Sequence, residues 1–178
     1  MSIGPRVVRA VATAITAAVL IASAPHLADA GVTDADLGAR VIAAVERCPN
    51  VGIFDDVTVG VTNGNVTVSG WVTEPGKRDD IVRRASQVDG VRSLTSAIGV
   101  LPMSQGDVIL RGRVARAIYG NALFWRYASS ARPPIHILVS HGHVTLVGLV
   151  ADDTERSVAG ALSHAPGAIG VTNSLRIR

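Results

Sequence analysis

Cysteine is nearly absent from this chain: the one copy, Cys48, cannot close an internal disulfide, so no cross-braced miniature scaffold is possible. Aromatic residues make up 3% of the 178 residues, two each of Trp, Tyr and Phe. A core must therefore be aliphatic, and any clustering of the six aromatics carries information. Charged residues account for 17% and hydrophobic ones for 48%, a balance that excludes a disordered chain. No apolar run reaches the roughly 20 residues a membrane-spanning helix needs. Motifs for catalysis are missing too: there is no G-x-S-x-G, no H-E-x-x-H, no P-loop and no G-x-G-x-x-G. These absences point away from an enzyme and towards a binding protein.

The N-terminus has the layout of an export signal. Arg6 and Arg9 supply a positive start, Ala10 to Ala24 is apolar and uncharged, and Ala28-Asp29-Ala30 offers a cleavage site before Gly31. A cut after Ala24 is disfavoured because Pro25 would follow it. The apolar run, about 15 residues, is short for an anchor, and no cysteine follows it to take a lipid. The pattern predicts a signal peptide over residues 1–30, cut after Ala30, and a periplasmic or secreted protein. Retention as an anchor is the alternative.

The remainder says the same thing twice. Residues 57–72 read VTVGVTNGNVTVSGWV and residues 135–150 read IHILVSHGHVTLVGLV. Gly64 meets Gly142, Gly70 meets Gly148, and Val66-Thr67-Val68 meets Val144-Thr145-Leu146. After a one-residue gap Gly90 meets Gly167, Thr95 meets Thr172 and Ile98 meets Leu175. A repeat of this kind sets the architecture. The predicted modules run over 34–101 and 104–178, with a short link, Leu101 to Gly106. Units of about 70 residues are marginal alone, so the two are expected to lean on each other.

Each copy has the same predicted order. Leu37, Val41, Ala44, Val45 and Cys48 fall at helical spacing, with Thr33 or Asp34 as cap and Pro49-Asn50 as stop. Cys48 on this stripe reads as a buried helix thiol. Val57, Val59 and Val61 then alternate with polar residues, Asn63-Gly64 turns the chain, and Val66 and Val68 alternate again: an antiparallel hairpin. Glu74-Pro75-Gly76 breaks it. Ile81, Val82, Ala85 and Val88 mark a second helix over Lys77 to Val88, and Leu94 to Val100 a third strand. The second copy repeats this with a helix from about Asp107, strands at 135–140 and 143–150, a helix over 152–165 and a strand at 170–177. The fold class expected is α+β, two tandem αββαβ modules, each a three-stranded sheet with two helices on one face. Gly64, Gly70, Gly90, Gly142, Gly148 and Gly167 are its structural turn positions. Asp55-Asp56 and Asp152-Asp153 stand at element starts, where acidic residues serve as caps and dipole partners.

Two helices cover one face of each sheet, leaving the other open. In the first module that face carries Thr58, Gly60, Thr62, Thr67, Ser69 and Trp71. In the second it carries His136, Leu138, Ser140, Thr145, Val147 and Leu149, more apolar than solvent requires. Packing against the other module or its connection is one explanation, and contact with a ligand or lipid is another. Charge is uneven as well: residues 31–103 hold 7 Lys and Arg against 9 Asp and Glu, whereas residues 104–178 hold 8 against 4. Between Val108 and Ala151 lie Arg111, Arg113, Arg116, Arg126 and Arg132 with no acidic residue. Such a patch suits an anionic partner; for an exported protein lipid or glycan is the more available choice, and not nucleic acid. Four of the six aromatics, Tyr119, Phe124, Trp125 and Tyr127, fall among these arginines. Aromatic rings beside guanidinium groups fit a membrane interface. Phe124 and Tyr127 have core filling as their plainer use. The expected lipid-binding set is Arg111, Arg113, Arg116, Tyr119, Trp125 and Arg126. His141-Gly142-His143 matches Asn63-Gly64-Asn65 of the first copy and so reads as a turn, not a metal site. No cofactor is expected.

The motif of each copy resembles the BON domain of bacterial envelope proteins. In the second, Ile135, Ile137, Val139, Gly142, Val144, Thr145, Leu146, Gly148 and Val150 are followed by Pro166-Gly167 and by Val171, Asn173, Leu175 and Ile177. The first supplies Val57, Val59, Val61, Gly64, Val66, Thr67, Val68, Gly70, Val72 and Asp89-Gly90, and departs from the pattern where Ser96 stands for the asparagine. A leader and two such modules resemble the osmotically inducible periplasmic proteins. What the resemblance implies is attachment to phospholipid membrane surfaces, support of envelope integrity under osmotic stress, and no catalytic residues. A protein-interaction scaffold using the open sheet face of the second module is the alternative.

Overall fold

Thr33 begins the first helix, α1 (Asp34–Glu46), its side chain accepting from the Asp36 amide at 3.1 Å. The computed structural model describes residues 32–178, so the expected leader and its cleavage site lie outside the described residues. From α1 the chain runs through strands β1 (Asp56–Thr62) and β2 (Asn65–Val72), helix α2 (Pro75–Ser86) and strand β3 (Ser93–Val100). The second round is α3 (Gln105–Tyr119), a 3-10 turn (Ala122–Phe124), α4 (Trp125–Ala128), β4 (Ile135–Ser140), β5 (His143–Val150), α5 (Asp153–Leu162) and β6 (Gly170–Ile177). Each sheet is mixed: β1 pairs antiparallel with β2 and β2 parallel with β3, and β4, β5 and β6 repeat this. The α+β class and the tandem αββαβ order match the expectation.

Alternation decides which side of each sheet is buried. Val66, Val68 and Val72 of β2 face α1 and α2 and pack with Leu37, Val41, Val45, Ile81, Ala85 and Ile98. Val144, Leu146 and Val150 of β5 pack with Leu110, Val114, Ile118, Phe124, Ala159 and Leu175. Full burial of such a side chain contributes roughly 1.5–3 kcal/mol. The second core is the larger, because Phe124, Tyr127, Ile135, Ile137 and Val139 join it. Cys48 is buried just past the end of α1, and burial raises its thiol pKa.

Both hairpins turn through two residues with positive φ, Asn63 and Gly64 at 52° and 76°, His141 and Gly142 at 50° and 78°. A carboxylate from the start of the preceding helix holds each turn. Asp34 accepts from the amides of Asn63 (2.6 Å) and Gly64 (2.9 Å), and Asp107 from those of His141 (3.0 Å) and Gly142 (2.8 Å). Asp34 and Asp107 are 73 positions apart, whereas Val57 and Ile135 are 78 apart. The second copy therefore carries five extra residues between its first helix and first strand, in the stretch that holds α4.

Some boundaries and roles differ from expectation. Pro75 and Gly76 open α2 and do not precede it, since proline suits the first helical turn. Helix α5 stops at Leu162, where the Ser163 hydroxyl turns back onto the Ala159 carbonyl at 2.8 Å. Gly70 and Gly148 are not turn residues: they lie inside β2 and β5 with φ of 126° and 122°. A Cβ there would stand 2.1 Å from the Asp56 carbonyl oxygen or 1.9 Å from that of Pro134, so close backbone approach demands glycine. Asp152 caps α5 as expected. Asp55 instead is buried, accepting from the Thr73 amide (2.8 Å), the Thr73 hydroxyl (2.9 Å), Lys77 (2.9 Å) and the Gly52 amide (2.9 Å).

The modules touch through the segment ahead of β1. The Ile137 amide on β4 donates to the Ile53 carbonyl at 2.7 Å, His136 Nδ1 lies 2.6 Å from the Asp55 carbonyl, and Phe54 packs into the second core. Arg132 pairs with Glu46 at the end of α1.

Candidate functional site

The five extra residues of the second module create its most distinctive surface. Asn121 caps the 3-10 turn by accepting from the Leu123 amide at 3.0 Å. Phe124 then drops fully into the core, with Tyr127 stacked 6.2 Å away. Because these two point inward, the residues between and beside them point out. Trp125 is 62% exposed and Leu123 38%.

Arg126 bends over the Tyr127 ring, 4.8 Å from its centroid, and reaches both the Tyr127 hydroxyl (3.0 Å) and the carboxylate of Glu155. Glu155 is buried. It also accepts from the Tyr127 hydroxyl at 2.7 Å and from the Ala151 amide at 2.9 Å. Burial, then the Glu155 carboxylate, raises the Tyr127 pKa; the Tyr127 hydroxyl, then the Glu155 charge, raises that of Arg126 against the opposing cost of desolvation. Glu155 is thus the post on which the arginine is held.

Next to this post lies a groove of about 340 Å³ lined by Arg126, Tyr127, Ser130, Arg132, Ala151 and Arg178. Three arginines line it, from the α4 helix, the loop after it and the end of the chain; Arg126 is paired with Glu155 and Arg132 with Glu46. The Arg178 backbone amide is fixed by the Val150 carbonyl at 3.0 Å. Guanidinium forks are donors of the geometry that matches phosphate oxygens, and an exposed indole stands next to Arg126 in the chain.

The structure divides the residues expected from the sequence. Arg126 lines the groove, and Trp125, its neighbour in the chain, is exposed without lining it. Arg113 and Arg116 are exposed on α3, Arg113 bonded to the Pro166 carbonyl at 2.7 Å. Arg111 does not belong to a lipid surface: it is 4% exposed, and its guanidinium donates to the carbonyls of Val139 (2.7 Å) and Pro102 (3.2 Å). Burial lowers its pKa, an effect partly offset by Asp107. Tyr119 is also committed internally, its half-buried hydroxyl donating to the Ile135 carbonyl, and burial raises its pKa. Arg178 was missed because nothing local to it signals a site; only the pairing of β6 with β5 brings it near α4. The open sheet face of the second module is less exposed than expected. Leu138 is buried and Val147 half-buried, leaving Leu149 at 37%. His141 and His143 lie at the hairpin turn.

A family model described as BON domain matches residues 33–102 and 125–178. Among solved structures, the C-terminal domain of CdsD, the structural protein of the Type III secretion system of Chlamydia trachomatis, aligns at 13% identity over 83% of this chain and 100% of that one, with a TM-score of 0.29. A second structure of CdsD aligns at 12% identity over 80% of this chain and 92% of that one, with a TM-score of 0.28. Scores this low do not establish a common arrangement. No curated protein matches.

Proposed function

The chain belongs to the BON domain family, and from that premise we propose a non-catalytic envelope protein that attaches to anionic phospholipid surfaces through its second module. BON-domain proteins are typically periplasmic and envelope-associated, and no helix among the described residues is long and apolar enough to cross a membrane. The observation that carries the proposal is the groove lined by Arg126, Arg132 and Arg178, with the exposed Trp125 next to Arg126 in the chain. Lipid phosphate would meet the guanidinium groups while the indole sits at headgroup depth. Each cation near an anionic leaflet adds about 1 kcal/mol of attraction, screened by salt. Support of envelope integrity under osmotic stress is the biological role this attachment would serve.

Co-sedimentation with phosphatidylglycerol-containing and neutral vesicles, at low and high salt, tests the proposal. Binding to the anionic vesicles alone, weakened by salt and by the pair Trp125→Ala and Arg178→Ala, is the expected result. Equal recovery with both vesicle types, or binding indifferent to the pair, would sink it. Arg178 and Trp125 are the residues to change because neither leaves a buried carboxylate unpaired, as removal of Arg126 would.

A further inference from the structure

The repeat provides its own control for the outer edges of the two sheets. In each antiparallel hairpin alternate residues of the first strand aim their amide and carbonyl away from the partner strand. On β4 these are Ile135, Ile137 and Val139, and the edge is closed. The Ile53 carbonyl takes the Ile137 amide, and the Arg111 guanidinium takes the Val139 carbonyl. All three side chains are fully buried.

On β1 the same positions are Val57, Val59 and Val61, and neither closure exists. Position 38, the counterpart of Arg111 in helix register, is glycine, with open space before it until the Val61 side chain at 3.6 Å. Among the described residues nothing caps the Val59 amide or the Val61 carbonyl. The three valines are only half-buried. Beside them a cleft of about 310 Å³ opens between β1, α1 and the stretch 131–136 of the second module; Ile42, Val45, Val57 and Val59 give it an apolar wall, and Glu46 and Arg132 stand at its polar side. Ile42 is 44% exposed. No Lys, no proline and no bulge blunts this edge between Val57 and Thr62, the usual protections of an unpaired strand.

We propose that this edge is a peptide-binding site, which takes an extended apolar segment of a partner protein as an added strand. A partner carbonyl accepts from the Val59 amide and a partner amide donates to the Val61 carbonyl. Alternate apolar side chains enter the cleft under α1. A partial precedent is in the same molecule: the apolar stretch Val51-Gly52-Ile53-Phe54 offers β4 a single carbonyl, that of Ile53, to the Ile137 amide. A second copy of the chain is a poorer occupant. Helix α1 packs over β1, so two β1 strands joined edge to edge would bring two helices to within about one strand spacing, roughly 4.8 Å, where packed helices need about 8–10 Å. A lone strand brings no second helix and has only the stretch 131–136 across the cleft to accommodate. The cleft adjoins the lipid groove, with Arg132 and Pro134 lining both, but Trp125 lines neither.

The test is a titration of the purified protein with a blocked peptide copying residues 50–55, read by amide chemical shifts and hydrogen exchange. Saturable shifts at Val57, Val59 and Val61, with slower exchange of the Val59 amide, are expected. Gly38→Arg, which supplies the plug found in the second module, and Val59→Pro, which deletes the donor at an edge position that tolerates proline, should each weaken binding about tenfold. Trp125→Ala should leave it unchanged. Should Val59→Pro perturb the fold, Gly38→Arg still decides. No saturable shift at the three valines, binding that survives Gly38→Arg, or shifts centred on Ile137 would each overturn the proposal.

Discussion

Strands β1 and β4 are the same strand twice, yet one ends in a sealed edge and the other in an open groove. Ile135, Ile137 and Val139 are fully buried where Val57, Val59 and Val61 are half-exposed. Two substitutions account for much of this. Arginine replaces glycine at the facing helix position, and five extra residues bring Phe124 and Tyr127 under the second sheet. Identical backbone topology thus supports a module finished internally and a module left with an unmet edge. The two copies therefore present different surfaces, the second basic and aromatic, the first with an open strand edge.

The comparison can be broken most forcefully at Phe124. Phe124→Ala removes the largest fully buried side chain of the second core and should cost about 3–5 kcal/mol in urea unfolding. If the modules unfold separately, one of two transitions moves; if the docking of Ile53 and Phe54 couples them, a single transition moves whole. Next is Arg111→Gly, which copies Gly38 into the second module. Loss of the cap on Val139 together with a glycine in mid-helix should cost about 2 kcal/mol, and the Val139 carbonyl environment should open to exchange with solvent.

A smaller effect is expected at Asp107. Burial pushes its carboxyl up, but hydrogen bonds from Gly142, Ser104 and His141, with the Arg111 charge, outweigh that and hold it below the ordinary 3.8. A depressed folded-state value means stability that is present above pH 3.8 and lost as pH falls through the lower folded value. Asp107→Asn should therefore cost about 1–2 kcal/mol at pH 7, and the gap from the parent protein should close in thermal melts below pH 3.8. The smallest change is Gly99→Ala in the first module. Its Cβ would sit 2.4 Å from the Trp71 ring, but that ring is 48% exposed and can swing away. A cost below about 1 kcal/mol with a visible shift in tryptophan emission would sharpen the contrast with Leu149, which holds the equivalent place over Arg176.

Strands and hairpins were legible because period-two alternation and the glycine turns are local signals; the bounds of β6 and of both hairpin strands of the second module follow from them. The 3-10 turn and α4 were not, because the seven residues from Ala122 to Ala128 are too few to carry a periodicity. Arg111 misled for a physical reason: a charge in an amphipathic stripe reads as solvent-facing, and only the carbonyls of Val139 and Pro102, distant in sequence, reveal why it is buried. The open edge of β1 was invisible for the complementary reason, since Val57, Val59 and Val61 look the same in a capped strand and an uncapped one. The basic groove was half legible. Trp125 and Arg126 announce themselves in sequence, whereas Arg178 joins them only through the β5–β6 register.

The bond between Ile53 and Ile137 also has a temporal meaning. The first module precedes the second in the chain, so in any N-to-C order of emergence the stretch ahead of β1, tied by Asp55 to Gly52 and Thr73, is available before β4. The newborn strand meets a preformed template instead of an empty edge, and the interval in which it could pair with a neighbouring nascent chain is short. Had the modules been encoded in the opposite order, the strand that most needs a cover would have waited for it.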